Sequence, residues 1–287
     1  MASMRDIKRR KGSVQSTQQI TKAMKLVSTV KLQRARTVAE RSKSYFEYMY
    51  ETVNSILARV GTVRHPYLQP GASEKKAVIA VTSNRGLAGG YNSNIVKLIT
   101  GQENWNKENV LIYAMGNKGR DALARAGYEI RKEWSHLVEA PEYGAARRIA
   151  EELLKAYEAG EIGEIYLAYT SFVNTVSHVP TMLKLLPVEI PSSEDGEKQE
   201  PGAIMNFEVD DEEALNLLIP KYVASLIYGG LVEAAASENG ARMQAMDNAT
   251  SNAEEMISDL TLKYNRARQS SITQELTEII AGAEAIS

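Results

Sequence analysis

The two ends of this 287-residue chain read as long helices, and the segment between them is of another kind. From Asp6 to about Val60 there is no proline, and glycine occurs only at Gly12. Apolar residues recur there in steps of three and four: Ile20, Met24 and Val27, then Met49, Val53, Ile56 and Val60. At 1.5 Å per residue this helix reaches about 80 Å. Gly61, His65-Pro66 and Pro70-Gly71 end it, because proline cannot continue the hydrogen-bond ladder and disfavours helix just before itself. A second helical stretch runs from residue 208 to 287, on the order of 110 Å by the same rise. Its stripes are Leu215, Ile219, Tyr222 and Leu226, then the heptad rhythm of Met246, Ala249, Ala253, Met256, Leu260 and Ala267. Ile272, Leu276, Ile279, Ala283 and Ile286 continue on a shifted face. Pro220 falls in the first turns, and Gly229-Gly230 is a candidate bend. Helices at opposite ends of a chain, with a compact segment looped out between them, can pair antiparallel into one rod. Several seam positions are alanine, so little area is buried per turn, and the rod is expected to be surrounded by something else.

Residues 75–190 alternate strand-like and helix-like runs. Ala77–Thr82, Val110–Met115, Ile165–Phe172 and Thr181–Val188 are the strand candidates; Tyr91–Thr100, Lys118–Ala126 and Glu142–Ala159 are the helix candidates. This order predicts a small open α/β sheet. Residues 191–207, with Ser-Ser-Glu-Asp-Gly-Glu-Lys, read as a flexible linker, and Asp210 and Asp211 as caps of the last helix. The expected fold class is therefore α plus α/β. A long antiparallel coiled coil of terminal helices (1–60 and 208–287) accompanies a central Rossmann-like α/β domain (75–190).

Charge is unevenly distributed. Residues 1–45 carry twelve basic against two acidic side chains, while residues 208–287 carry fourteen acidic against five basic. Opposite signs suggest that the two ends face each other, since flanking charges help set partner and orientation in a coiled coil. With no cysteine, disulfides and thiolate-bound metals are excluded. No apolar run reaches the roughly 18 residues of a membrane span, and no secretory h-region follows the charged N-terminus. A soluble or peripheral protein is expected.

Certain blocks carry a family resemblance. Ile272-Thr273-Gln274-Glu275-Leu276-Thr277-Glu278-Ile279-Ile280-Ala281-Gly282-Ala283 is similar to the C-terminal signature of the γ subunits of F-type ATP synthases. Ile20-Thr21-Lys22-Ala23-Met24-Lys25-Leu26-Val27-Ser28 resembles the other terminal block of that family. Thr82-Ser83-Asn84-Arg85-Gly86-Leu87-Ala88-Gly89-Gly90-Tyr91-Asn92 resembles its glycine-rich loop after the first strand. Ser237-Glu238, Arg242-Met243, Ala245-Met246 and Tyr264-Asn265-Arg266-Ala267-Arg268-Gln269 match as well, in the right order over essentially the whole chain. Two departures stand out: Asn84 where the family loop usually has Asp, and Asn239-Gly240 where Ala is more usual. The cysteine-bearing regulatory segment of the chloroplast branch is missing.

The resemblance implies a rotor shaft. The terminal helices would form a left-handed antiparallel coiled coil inside a ring of three α and three β subunits. The α/β domain would touch the ε subunit and the ring of membrane c subunits. Rotation would couple ion flow to ATP synthesis or hydrolysis, on the cytoplasmic face of the cell membrane as part of the peripheral F1 sector. Carried over position by position, Met24, Lys25, Arg242, Arg268, Gln269, Thr273 and Glu275 would contact the α/β ring. Arg85, Gly86, Gly89 and Gly90 would form the loop of the α/β domain. No catalytic residue, cofactor, metal or nucleic acid is expected on the chain, and no direct membrane insertion. From Ser270 to Ser287 there is no Lys, Arg or aromatic residue, which suits a tip turning in an apolar collar.

Three other readings compete. A nucleotide-binding enzyme would use Gly86–Gly90 at a helix N-terminus, but the Gly-x-Gly-x-x-Gly spacing is absent and Gly116-Asn117-Lys118-Gly119 is not a complete Walker loop. His65, His136 and His178 are scattered and form no set. A nucleic-acid binder would use the basic N-terminal helix, yet no aromatic residues interleave it as stacking platforms. A non-rotary coiled-coil scaffold would account for the rod but not for the ordered blocks.

Overall fold

The computed structural model describes residues 4–60, 65–103, 105–188 and 211–284. The expected linker at 191–207 and the Asp210 cap lie outside them. So do the side chains of Ile56 and Val60. Two compact units divide the chain: Val30–Ala241, and a second formed by Met1–Thr29 with Arg242–Ser287. Helix α1 spans Met4–Val60 and the last helix, α5, spans Asp211–Glu284.

The larger unit is built on a five-stranded sheet. Its strands are β1 (Lys76–Val81), β2 (Val110–Met115), β3 (Glu129–Glu133), β4 (Glu164–Phe172) and β5 (His178–Leu186). Their spatial order is β3-β2-β1-β4-β5, all parallel except β5, which returns antiparallel against β4. The helices α2 (Tyr91–Thr100), α3 (Asn117–Arg125) and α4 (Tyr143–Glu158) make the crossovers. Strands covered on both faces read as unbroken apolar runs, and Ala77–Val81 and Val110–Met115 are buried throughout. Ala77, Ile79 and Val81 pack with α4 and with Leu215, Ile219, Val223 and Ile227 of α5. Val78 and Ala80 pack on the opposite face with Ile95 and Ile99 of α2 and Leu123 of α3. Each such fully buried aliphatic side chain contributes roughly 1.5–3 kcal/mol.

Strand β3 is not anticipated by the sequence. Its residues Glu-Ile-Arg-Lys-Glu are exposed except for the half-buried Ile130, so no period-2 pattern appears. It is an edge strand, and charge along an edge discourages pairing with another chain. Lys132 bonds Glu152 of α4 at 2.6 Å and stands over the Trp134 ring.

Helix α5 contains a stretch long and apolar enough to span a membrane, contrary to the expectation, and half of that stretch is buried inside the protein. Burial on the sheet accounts for its composition: Leu231, Val232, Ala234 and Ala236 are all covered. Gly230 serves this packing, because a Cβ there would come within 2.7 Å of Leu167 Cδ2 on β4.

In the smaller unit the two helices run antiparallel. Gln18 bonds Glu254 at 3.0 Å, Thr21 meets Thr250 at 2.8 Å, and Lys25 pairs with Asp247 at 2.6 Å. Residue n of α1 thus faces a residue near 272 − n of α5. On α5 one covered stripe is Met246, Thr250, Ala253, Ile257, Leu260, Tyr264, Ala267 and Ser271, in steps of four and three, with Ala249 and Thr261 half-buried beside it. On α1 the stripe is Met4, Ile7, Lys11, Val14, Gln18, Thr21, Lys25 and Ser28, with Met24 half-buried beside it. A seven-residue repeat is shorter than two helical turns, and it winds the pair into a left-handed supercoil.

This seam corrects the sequence reading at several places. Ile20 and Val27 do not face α5; they are 60% and 57% exposed, and the polar Thr21 and Ser28 are buried instead. Met256 points outward and Ile257 takes its place. Ile272, Leu276 and Ile279 are exposed as well. By the register, Met4 stands opposite Arg268, so α5 beyond that level has no described α1 partner. The charge expectation is met at Lys25–Asp247. Elsewhere the register brings Arg5, Lys8 and Arg9 to the level of Lys263, Arg266 and Arg268, with Asp6 among them paired to Arg9 at 3.1 Å.

Candidate partner interface

Two surfaces hold the residues singled out from the sequence. The first is the outer face of the paired helices. Lys25 is half-buried and tied to Asp247, with Met24, also half-buried, beside it. Arg242 is half-buried and lies five residues before Asp247 on α5. Arg268, Gln269, Thr273 and Glu275 are all exposed. They begin 21 residues beyond Asp247, about 32 Å along the helix axis. The structure therefore separates the expected contact residues into a lower and an upper group. Within the upper group Thr273 Oγ1 donates to the carbonyl of Gln269 at 2.9 Å, and Ser271 Oγ to Glu275 at 3.4 Å.

Sequence reasoning missed the ridge between and above these groups. Ile20, Leu26 and Val27 on α1 are exposed, as are Met256, Leu262, Ile272, Leu276, Ile279 and Ile280 on α5. The pattern was in the sequence, but helical periodicity assigns an apolar stripe to the core by default. Here polar Thr21, Ser28 and Thr250 share the seam with Ile7, Val14, Met246, Ile257 and Leu260, and further apolar residues of both helices face out.

The second surface is the loop at the C-terminal end of β1. Thr82 and Ser83 are buried at its base. Thr82 Oγ1 accepts from the Gly119 amide at 3.0 Å and lies 3.1 Å from the Met115 carbonyl. Gly116, which opens α3, has φ +106° and would place a Cβ 2.2 Å from the Thr82 carbonyl oxygen. Only glycine fits that position. Ser83 is held by Asn92, whose Oδ1 accepts from the Ser83 amide at 2.9 Å. Ser83 Oγ in turn donates to the Arg85 carbonyl at 2.6 Å. Arg85, Gly89 and Gly90 are exposed and Gly86 is half-buried, so the four expected residues share one loop. At its tip Leu87 adopts φ +63° and is 64% exposed.

A charged network flanks the loop. Ser135 Oγ donates to Glu133, which also receives Arg120 at 2.6 Å. These contacts, Ser135 first, hold the Glu133 carboxyl below its ordinary pKa range.

His65 and His178 have packing partners, while His136 is exposed. His65 is buried, accepts the Tyr67 amide at Nδ1 and meets Asn216 at Nε2, so Nε2 carries the proton. His178 packs on Gly240, where a Cβ would lie 2.5 Å from Nε2, and burial lowers its pKa. Among the described residues no group of three or more His, Asp or Glu is placed to hold a metal ion. A cavity of about 370 Å³ opens at the opposite, N-terminal edge of the sheet beside Glu74, Lys76, Asn106, Asn109 and Glu164. Of its two carboxylates, Glu164 is already engaged by Lys76 and Lys184. Ligands of open α/β sheets bind at the other edge, outside the carboxyl ends of the strands.

A family model described as ATP synthase matches residues 3–286. A curated relative from Lachnoclostridium phytofermentans, an ATP synthase gamma chain, is 64% identical over 291 residues, covering 100% of both chains. The chain belongs to the ATP synthase gamma chain family. It is accordingly a rotor-stalk subunit of the F-type ATP synthase and not a catalytic one, part of an assembly peripheral to a membrane. An ATP synthase gamma chain from Acetobacterium woodii, described as sodium ion specific, is 40% identical, with 99% of each chain covered. Among solved structures, a chain of the Euglena gracilis mitochondrial ATP synthase has the same fold, with a TM-score of 0.69 and 20% identity. The match covers 99% of this chain and 94% of that one.

Proposed function

We propose that the paired terminal helices turn inside a ring of three α and three β subunits and pass ion-driven rotation to the nucleotide sites of that ring. The apolar residues left on the outside of the smaller unit carry this reading. A helix pair that buries Thr21, Ser28 and Thr250 while exposing Ile20, Leu26, Val27, Leu276 and Ile279 is built for an apolar surround. The collar of Arg5, Lys8, Lys263, Arg266 and Arg268, beside the Arg9–Asp6 pair, favours acidic groups from a partner. Met24, Lys25 and Arg242 engage the ring low on the shaft, and Arg268, Gln269, Thr273 and Glu275 engage it near the tip. Charge-assisted hydrogen bonds at those points contribute roughly 1.5–3 kcal/mol each, enough to favour an angle and little enough to break in each cycle.

The α/β domain, residues 75–190, engages the ε subunit and the ring of c subunits, joined to the last helix by the 191–207 linker. The Arg85–Gly90 loop is its contact toward the ring. The chain works on the cytoplasmic face of the cell membrane.

The test is reconstitution. Purified α and β subunits are mixed with and without this chain, and the mass and ATPase activity of the products are measured. One copy per three α and three β, with faster turnover, supports the shaft. A chain that stays free and leaves turnover unchanged overturns it.

A further inference from the structure

Strand β4 outruns the strand beside it. Its pairing with β1 stops at Ala168, opposite Ala80, whereas β4 itself runs on to Phe172. On that side Thr170 and Phe172 have no strand to bond, and backbone groups left buried and unpaired are costly. Side chains of α5 close the edge instead. Ser237 Oγ donates to the Thr170 carbonyl at 3.1 Å. Glu233 Oε2 accepts the Phe172 amide at 3.3 Å and the Ser171 hydroxyl at 2.8 Å. Alternate residues of a strand repeat one orientation, and residues four apart on a helix share one face, so a single face of α5 serves the whole open edge.

Contacts of another kind hold α5 nearer its start. Leu215, Ile219, Val223 and Ile227 lie in the apolar cluster with Ala77, Ile79 and Val81. Such burial keeps a helix on a sheet, but it is non-directional and leaves turning about the helix axis less restrained. Hydrogen bonds are directional. Side chains reach roughly 5 Å from a helix axis, so a turn of about 10° shifts their ends by about 1 Å. That shift breaks the bonds of Glu233 and Ser237. A third bond holds the same stretch from α2, where the Tyr91 hydroxyl donates to the Ala234 carbonyl at 3.2 Å. Beyond Ala241 the same helix continues into the smaller unit.

We propose that Glu233 and Ser237 are positioning residues for coupling: by closing the open edge of β4 they fix the angle at which α5 sits in the α/β domain, so that helix and domain turn as one body. This rests on the reading of α5 as part of a shaft. The role belongs to the acceptor oxygen at position 233 and not to its charge. Glu233→Gln keeps a carbonyl oxygen for both bonds, and Glu233→Ala supplies none.

The experiment uses the complex assembled with α and β subunits, fixed to a surface through them, with a bead on the α/β domain of this chain. Without ATP, the spread of bead angles reports how firmly domain and helix are joined. The combined Glu233→Ala, Ser237→Ala chain is expected to widen that spread to about twice the wild-type value, as directional bonds are lost. In vesicles, the complete complex carrying it should pump severalfold fewer ions per ATP hydrolysed. Glu233→Gln should match wild type in both measurements. A purely structural role would lower stability in urea and leave the spread and the pumping ratio of assembled complexes unchanged, and that result overturns the proposal. So does a Glu233→Gln complex as loose as Glu233→Ala. If the combined variant does not fold, Ser237→Ala alone removes one buried oxygen and is read in the same way: a wider spread supports the joint, and a wild-type spread overturns it. Adding ATP separates the two ideas. A wild-type bead that never rotates removes the shaft reading itself, whereas a rotating wild type with unaltered variants removes only the role of Glu233 and Ser237.

Discussion

The hydroxyl oxygens of Thr21 and Thr250 lie 2.8 Å apart in the middle of the helix pair, each also within reach of a carbonyl of its own helix. Each hydroxyl has a single proton, so one threonine donates across the seam while the other donates back to its helix. A polar contact at a buried seam position fixes which residues stand opposite each other, as a buried polar residue does in other coiled coils.

Replacing Thr250 alone by Val is expected to destabilise the pairing by about 1 kcal/mol, since Thr21 loses its cross-helix partner. Replacing both should cost less than the sum of the two single changes. Urea unfolding of the four variants measures the coupling, and strict additivity would mean the bond contributes nothing.

Lys25→Ala should cost under about 1 kcal/mol, because the Lys25–Asp247 pair is largely open to solvent. Its effect should fade at high salt. A large, salt-independent loss would assign Lys25 a packing role through its methylene stem.

Gly119→Ala and Gly116→Ala should differ in how they respond to a second change. At Gly119 the added methyl meets the Thr82 side chain, 2.5 Å away, and Thr82→Ala should relieve part of the cost. At Gly116 the obstacle is the Thr82 backbone and a positive φ, so no side-chain change at Thr82 should help. Denaturation of the two double variants reads this directly.

His178 predicts a pH dependence. Burial lowers its folded pKa below the ordinary 6.5, so at acid pH the unfolded chain takes up the proton more readily. The stability it contributes is therefore complete above about pH 6.5 and declines as pH falls from there toward the lowered folded value. His178→Phe should flatten this part of the stability profile. Gly240→Ala should destabilise by roughly 1–3 kcal/mol through overpacking on the imidazole, and His178→Ala should suppress that cost. A Gly240→Ala chain as stable as wild type would show that the ring moves aside freely.

Removing residues 272–287 should leave the unfolding of the helix pair unchanged, because no described residue of α1 stands at or beyond the level of Ile272. Rotation of a bead fixed to the truncated complex should show lower torque. Failure of the complex to assemble would make this segment a structural plug instead.

Most of the sheet was legible because its central strands are buried on both faces. Val110–Met115 and Tyr91–Thr100 coincide with the predicted runs, and β1 and β4 lie within one residue of theirs. Strand β3 was illegible because Glu129–Glu133 gains its place from pairing with β2 and not from any apolar face. Strand β5 starts three residues earlier than predicted, at His178, where half-burial blurs the alternation. The helix pair was found by length, yet its inner face was misread, since Ile20 and Val27 carry the strongest apolar signal and lie outside the seam. The bonds that Asn84 makes with the Asn117 amide and the Ser135 carbonyl were beyond reach of the sequence, because both partners are backbone groups, 33 and 51 residues away.

The outward-facing apolar residues of the shaft also bear on how the subunit must be made. A free copy presents Ile20, Leu26, Val27, Ile279 and Ile280 to water along helices with nothing to cover them. Surplus chains would stick to one another, so synthesis has to keep step with that of the surrounding subunits, and overproduction alone should give insoluble protein that co-expression with them rescues.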